Sequence, residues 1–302
     1  MTNPFTGLSA FPLTPLRDDR VDERAFIGLL DRLVGAGVDS ITALGSTGSY
    51  AYLDPDERAR VAHLAAEHAG ATPVFVGVGD LRTSRILKHI DAAQDAGAAG
   101  LLLAPMTYQP LMVNDVVELF RTVIEHTELP VIVYDNPGTT HFTFTTELYA
   151  RIAELPGIAS IKIPGIPGEP SEVAKRVASI REVIPKHVSI GISGDAYGAA
   201  GLIGGCDAWY TAVGGTIPGP MVKITRAVQQ GRAADALAES ERLAPLWELF
   251  AEFGGSLRVT AAIAEFLGLV GARSLPLPIQ GLDAAQRARV AEVVDELQLD
   301  VP

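Results

Sequence analysis

Short apolar runs alternate with amphipathic helical stretches along most of this chain, and that alternation leaves few folds open. The runs are Gly7–Leu13, Ser40–Leu44, Pro73–Gly77, Gly100–Ala104, Pro130–Tyr134, Ile158–Lys162, Val188–Ile192 and Ala208–Ala212. Several are almost wholly apolar, as strands are when a parallel sheet is covered on both faces. Between them, helical patterns occupy Glu23–Gly35, Pro55–Ala69, Ser84–Ala96, Asn114–Thr127, Thr146–Glu154 and Glu172–Ile180. Strands alternating with helices in this way predict an α/β fold, a closed (β/α)8 TIM barrel.

The helix boundaries have local causes. Asp54-Pro55 supplies a cap and a first-turn proline, with Asp56 and Glu57 near the positive end of the helix dipole. Gly35, Gly70 and Gly97 mark expected stops. After about Gly219 the strand signal disappears. Helical patterns follow near Met221–Gln230, Ala233–Phe253, Leu257–Phe266 and Ala284–Leu297. The expected division is therefore 1–220 for the barrel and 221–302 for the last barrel helix and a C-terminal helical extension.

Composition removes several functions. The chain has 302 residues, is 48% hydrophobic and carries a net charge of −12. No basic block or aromatic-interleaved basic stretch appears, so no nucleic-acid partner is expected. The acidic balance also disfavours anionic membrane surfaces. The N-terminus shows no targeting pattern, and no apolar run is long enough to span a bilayer. A lone cysteine, Cys206, excludes an intramolecular disulfide framework and fits a reducing compartment. A soluble, cytoplasmic protein is expected. The six histidines form no HExxH-type metal pair.

Against this background Lys162 stands out. The chain has five lysines, and Lys162 is the one inside an apolar strand, Ile158-Ala159-Ser160-Ile161-Lys162-Ile163. A buried, unpaired ammonium is costly, so such a lysine tends to give up its proton. A neutral amine in a dry pocket suits Schiff-base chemistry on a carbonyl. Alone, the fragment also suits a strand-end lysine that snorkels to solvent.

Barrel chemistry gathers at the C-terminal ends of the strands. Strand two ends in Gly45-Ser46-Thr47-Gly48, whose glycines and hydroxyls suit a small carboxylate, though an ordinary turn reads the same way. Strand five ends in Tyr134-Asp135-Asn136-Pro137-Gly138, where Tyr134 could transfer protons or simply hold a structural hydrogen bond. Strand six ends at Lys162. Strands seven and eight lead into Ser193-Gly194-Asp195 and Tyr210-Thr211-Ala212-Val213-Gly214-Gly215, and Asp195 reads as ordering its loop.

These motifs, in this order and spacing, resemble the dihydrodipicolinate synthase/N-acetylneuraminate lyase family. Ala10-Phe11-Pro12-Leu13-Thr14-Pro15 is similar to the family's first strand, and the likeness covers nearly the whole chain. The resemblance implies a class I aldolase or lyase that joins a lysine to pyruvate or another 2-keto acid. It implies no metal and no organic cofactor, and a homotetramer or dimer. By position, Lys162 is the Schiff-base lysine and Tyr134 the proton-transfer tyrosine. Ser46 stands at the relay threonine's place. Thr47 and Gly48 complete the carboxylate cradle, and Tyr210 lines the pocket.

The departures lie on the acceptor side. Family synthases carry an arginine shortly after the strand-five tyrosine, where this chain has Thr139; a bidentate carboxylate contact is thereby lost. The neighbouring-subunit tyrosine of the family aligns with Thr107, with Tyr108 one residue along. Ile163 stands where an acidic residue usually follows the lysine, and Ser49 where glutamate is common. Thr139, His141 and Tyr108 are therefore the expected contacts of an altered substrate.

The reading that follows is a lyase or aldolase that condenses or cleaves a 2-keto acid, pyruvate first among them, with an aldehyde. The alternatives are a dehydratase or aldolase on sugar-derived 2-keto acids, and a non-catalytic member that only binds keto acids. A phosphate-binding barrel using Gly214-Gly215-Thr216 is also open, although no lysine or arginine adjoins that turn.

Overall fold

A computed structural model describes residues 3–299. Eight parallel strands close into a barrel: β1 Gly7–Ala10, β2 Ser40–Ala43, β3 Val74–Gly77, β4 Gly100–Leu103, β5 Val131–Tyr134, β6 Ile158–Ile163, β7 Ser189–Ile192 and β8 Ala208–Thr211. Each strand pairs with its sequence neighbours, and β1 closes the ring by pairing with both β8 and β2. Eight helices follow the strands: α1 Glu23–Ala36, α2 Pro55–His68, α3 Thr83–Asp95, α4 Val113–His126, α5 Thr146–Ala153, α6 Pro170–Arg181, α7 Gly198–Ile203 and α8 Pro218–Gln229. Four more form the extension: α9 Ala233–Arg242, α10 Ala244–Glu252, α11 Ser256–Phe266 and α12 Ala284–Glu296. Among the described residues no helix is long and apolar enough to cross a membrane.

Strand side chains alternate between two faces, and the core divides accordingly. One cluster packs within the barrel around Phe11, Phe75, Leu102, Ile132, Tyr134 and Tyr210. The larger cluster joins the outward strand residues, Ile161 and Ile163 among them, to the helices. A third cluster docks the extension. Leu13 and Leu29 pack there with Ala261, Ala264, Val270 and Leu275, so α11 is held against α1. Burying each such leucine contributes about 1.5–3 kcal/mol.

The structure departs from the sequence reading at four local points. Gly37, not Gly35, ends α1: it adopts φ 71° and its N–H reaches the Leu33 and Val34 carbonyls. A two-stranded hairpin, Leu16–Arg17 with Arg20–Val21, follows β1. Its turn residues Asp18 and Asp19 both have positive φ, the backbone form that matches strand twist in tight hairpins. The helical stretch 233–253 breaks at Leu243, because Pro245 opens a new helix in its first turn. Helix α7 carried no amphipathic signal, because its glycines serve close packing. A Cβ on Gly198 would fall 2.1 Å from the Trp209 ring, and one on Gly201 would fall 2.6 Å from Ile192.

Candidate active site

Parallel register brings the two principal side chains together. Tyr134 on β5 is the partner of Lys162 on β6, and Lys162 in turn is the partner of Gly191 on β7. Period-two alternation turns Ser160 and Lys162 into the barrel, while Ile161 and Ile163 face the helices. The isoleucines that flank the lysine in sequence therefore do not enclose its amine. Aromatic rings do: the Lys162 nitrogen lies 3.7 Å from the centroid of Phe11, 4.1 Å from Tyr134 and 5.6 Å from Tyr210.

Lys162 is 4% exposed. Burial pushes its pKa down to about 7, opposed in part by the negative charge of Asp195. Among the described residues no carboxylate comes within ion-pair distance of the amine; Asp195 instead accepts the backbone N–H groups of Ala212 and Val213 at 3.1 and 3.0 Å. Asp195 thus ties the ends of β7 and β8 together. A large share of the amine is therefore uncharged near neutral pH, in a pocket of ring faces.

Tyr134 is equally enclosed, and burial raises its phenol pKa. Asn136 donates to the Tyr134 oxygen at 2.9 Å, and Ser46 Oγ lies at 3.5 Å. With one lone pair held by Asn136, the phenol proton is free to point toward Ser46 or toward a substrate atom. Tyr210 is fixed by a 2.8 Å bond to Ser160.

These groups open onto a cavity of about 880 Å³. Of the residues named from sequence, Lys162, Tyr134, Ser46, Thr47, Tyr210 and Thr139 line it. Gly48, His141 and Tyr108 do not. Gly48 is packed beneath the turn, where a Cβ would fall 3.1 Å from the Leu44 nitrogen. His141 has φ 54° and ends the helical turn Pro137–Thr140, its side chain exposed. Tyr108 is 87% exposed on the loop between β4 and α4. Gly48 and His141 thus stay out of the cavity despite their place in the motifs, and Tyr108 lies away from the cavity of its own chain. Thr139 lines the cavity, its hydroxyl bonded to the Asn136 carbonyl at 3.3 Å.

Several lining residues had no role in the sequence reading. Phe11 sat in plain view in the opening motif, and a hydrophobic residue at a strand's C-terminal end was the available signal. Asn136 could be suspected from its place beside Tyr134. Trp247, Phe250 and Arg258 come from the extension, and no local pattern links them to the barrel mouth. Among the described residues no three His, Cys, Asp or Glu side chains gather as a metal site.

The chain matches known proteins along most of its length. The model of the dihydrodipicolinate synthetase family matches residues 4–297. A 4-hydroxy-tetrahydrodipicolinate synthase of Halorhodospira halophila is 30% identical, over 98% of this chain and 98% of its own. One from Anaplasma marginale is 29% identical over 99% and 96%. The crystal structure of a dihydrodipicolinate synthase from Agrobacterium tumefaciens superimposes with a TM-score of 0.93 at 41% identity, covering 97% of this chain and 98% of that one. This chain belongs to the dihydrodipicolinate synthetase family.

Proposed function

We propose that the protein is a class I lyase that makes or breaks a carbon–carbon bond between a 2-keto acid, pyruvate first among them, and an aldehyde. The observation that carries this reading is the Lys162 amine, enclosed by Phe11, Tyr134 and Tyr210 at the C-terminal rim of the barrel. The neutral amine attacks the keto carbon, and loss of water leaves an imine. The imine withdraws electrons, so a proton leaves the adjacent carbon and an enamine forms. That carbon attacks the aldehyde, and water then releases the product and regenerates the lysine.

In this scheme Tyr134 passes protons to and from the oxygen at the reacting carbon, with Ser46 beside it and Asn136 orienting it. The Thr47 hydroxyl, with Ser46, holds the keto-acid carboxylate in this scheme; both line the cavity. Thr139 stands where the family's synthases have an arginine, so the acceptor differs from theirs. A sugar-derived 2-keto acid is a second reading, favoured by the size of the cavity relative to pyruvate. The same imine would then serve a dehydration.

We also propose that the protein assembles as a homotetramer or dimer. The loop between β4 and α4, with the first residue of α4, leaves apolar side chains in water, Tyr108 at 87%, Met112 at 70% and Val113 at 46% exposure. A second copy would cover them.

Borohydride reduction in the presence of pyruvate tests the mechanism. The expected product is one reduced pyruvyl group on Lys162, located by peptide mass spectrometry. No adduct with any member of a 2-keto-acid panel would overturn the reading. Adducts without turnover of any aldehyde would leave a keto-acid-binding protein.

A further inference from the structure

The inner end of the cavity accounts for a keto acid, yet the cavity extends well beyond it to the C-terminal extension. Three charged side chains line it: Lys162, Asp195 and Arg258. Lys162 is the reacting amine. The Asp195 carboxylate is engaged by the Ala212 and Val213 N–H groups. Arg258, in the first turn of α11, is therefore the cavity's uncommitted charge. Its Nε donates to the Gln280 carbonyl at 2.9 Å, which fixes the guanidinium plane. Among the described residues neither terminal amino group has a partner, and no carboxylate lies within ion-pair distance.

Arg258 also borders a second cavity, of about 720 Å³. That cavity holds four carboxylates, Asp18, Asp19, Glu265 and Asp283, beside two further arginines, Arg273 and Arg287, of which Arg287 pairs with Glu265 at 3.6 Å; the carboxylates outnumber these cations and disfavour an anion there. Among the described residues the first cavity offers no free carboxylate. An anion drawn to Arg258 is thus favoured on the Lys162 side. A planar fork with two free amino groups matches a carboxylate in bidentate fashion, and one arginine balances one carboxylate charge.

We infer that Arg258 receives a carboxylate at the end of the substrate remote from the reacting carbonyl, and so sets specificity for 2-keto acids that carry a second, distal acid group. This deepens the aldolase reading and rests on it. In the cleavage direction the substrate is a 4-hydroxy-2-keto diacid. Its C3–C4 bond breaks, the electron pair enters the enamine on Lys162, and the C4 hydroxyl loses a proton to become the aldehyde carbonyl. The aldehyde product retains the acid group at Arg258. The enamine carbon takes up a proton to give the imine, and water then hydrolyses it, releasing the keto acid and the free Lys162 amine. The arginine lost after strand five is replaced in function, but from a different element and at a different place on the cavity wall.

Reductive trapping on Lys162 reads this directly. The probes are 2-keto diacids of five to eight carbons, each paired with the 2-keto monoacid of equal chain length. In the wild-type protein at least one diacid is expected to half-saturate trapping at a concentration about tenfold or more below its monoacid partner, the scale of one charge-assisted contact. In Arg258→Gln that ratio falls to within about twofold of unity. Arg258→Lys, which retains charge without the fork, gives an intermediate ratio. Because each ratio is taken within one protein, a partial loss of fold does not imitate the result. No diacid preference at any length, or a preference that persists in Arg258→Gln, overturns the assignment. Failure of wild-type protein to trap pyruvate would instead overturn the aldolase reading beneath it.

Discussion

Tyr134 and Lys162 are register partners on adjacent parallel strands, and the lysine nitrogen lies 4.1 Å from the centre of the tyrosine ring. The ring thus both removes water from the amine and carries a hydroxyl to the rim above it. Desolvation and proton transfer come from one side chain. Phe11, nearer still at 3.7 Å, can perform only the first task.

That enclosure sets a pH dependence. Lys162 is shifted from 10.5 down to about 7. Trapping of pyruvate should therefore rise with pH up to about 7 and level off above it. For stability, between about pH 7 and 10.5 the unfolded lysine holds a proton that the folded one does not, so stability due to this group rises with pH across that window. Below pH 7 the folded protein carries the full penalty of a buried charge. Lys162→Met should abolish trapping and stabilise the protein near pH 6 by about 1–4 kcal/mol. Urea unfolding at pH 6 and pH 9 should show that advantage shrinking at the higher value. An advantage equal at both pH values would contradict the burial argument.

Tyr134→Phe retains the ring and removes the hydroxyl. The amine stays enclosed, so reduction should still attach pyruvate to Lys162. Turnover with an aldehyde should fall by about 10²–10⁴-fold, the usual worth of a positioned acid–base group. Asn136 and Ser46 each lose a partner, for a stability cost of about 1 kcal/mol. Single-turnover rates separate the two effects. A variant with wild-type turnover would remove Tyr134 from the chemistry.

The barrel was legible because strands covered on both faces must be apolar runs, and such runs recur between amphipathic helices. Lys162 and Tyr134 were legible because both stand at strand ends, where parallel register aligns them. What encloses Lys162 was not, since sequence neighbours on a strand point to opposite faces; Phe11 is remote in sequence and Ile161 is adjacent. His141 shows the limit of spacing in loops. A loop can carry one residue into the cavity, as with Thr139, and turn another two positions away outward. Arg258 and Trp247 were invisible for a related reason. Their place depends on how α10 and α11 dock on the barrel, which no local periodicity encodes.

Close packing around Tyr210 offers a test of the aromatic wall. Gly191 on β7 faces the Tyr210 ring, and a Cβ there would lie 2.1 Å from Tyr210 Cε2. Gly191→Ala must displace the ring and strain its bond to Ser160. The expected cost is about 1–3 kcal/mol, with slower trapping at Lys162. Gly28→Ala is the contrast: it lies exposed within α1 with nothing near its added methyl, and should stabilise by about 0.5–1 kcal/mol. Thermal melts of the two variants should move in opposite directions.

Asp135 follows Tyr134 but turns away from the cavity, and its carboxyl accepts the Tyr149 hydroxyl. Its other oxygen, Oδ1, is buried without a hydrogen-bond partner. Burial pushes the carboxyl from 3.8 up to about 6, the Tyr149 bond opposing the shift. Between those values the folded protein holds a proton that the unfolded chain has released. Stability from this group is therefore fully present below about pH 4 and lost as pH rises through about 6, on the order of 1–3 kcal/mol. Asp135→Asn cannot titrate, and its amide can still pair with Tyr149. The difference in unfolding free energy between variant and wild type should therefore shift in the variant's favour from pH 4 to pH 7, as read by urea midpoints at constant ionic strength. A difference that does not change with pH would mean that Asp135 ionises as an ordinary carboxylate, and that Tyr149 alone holds the end of β5.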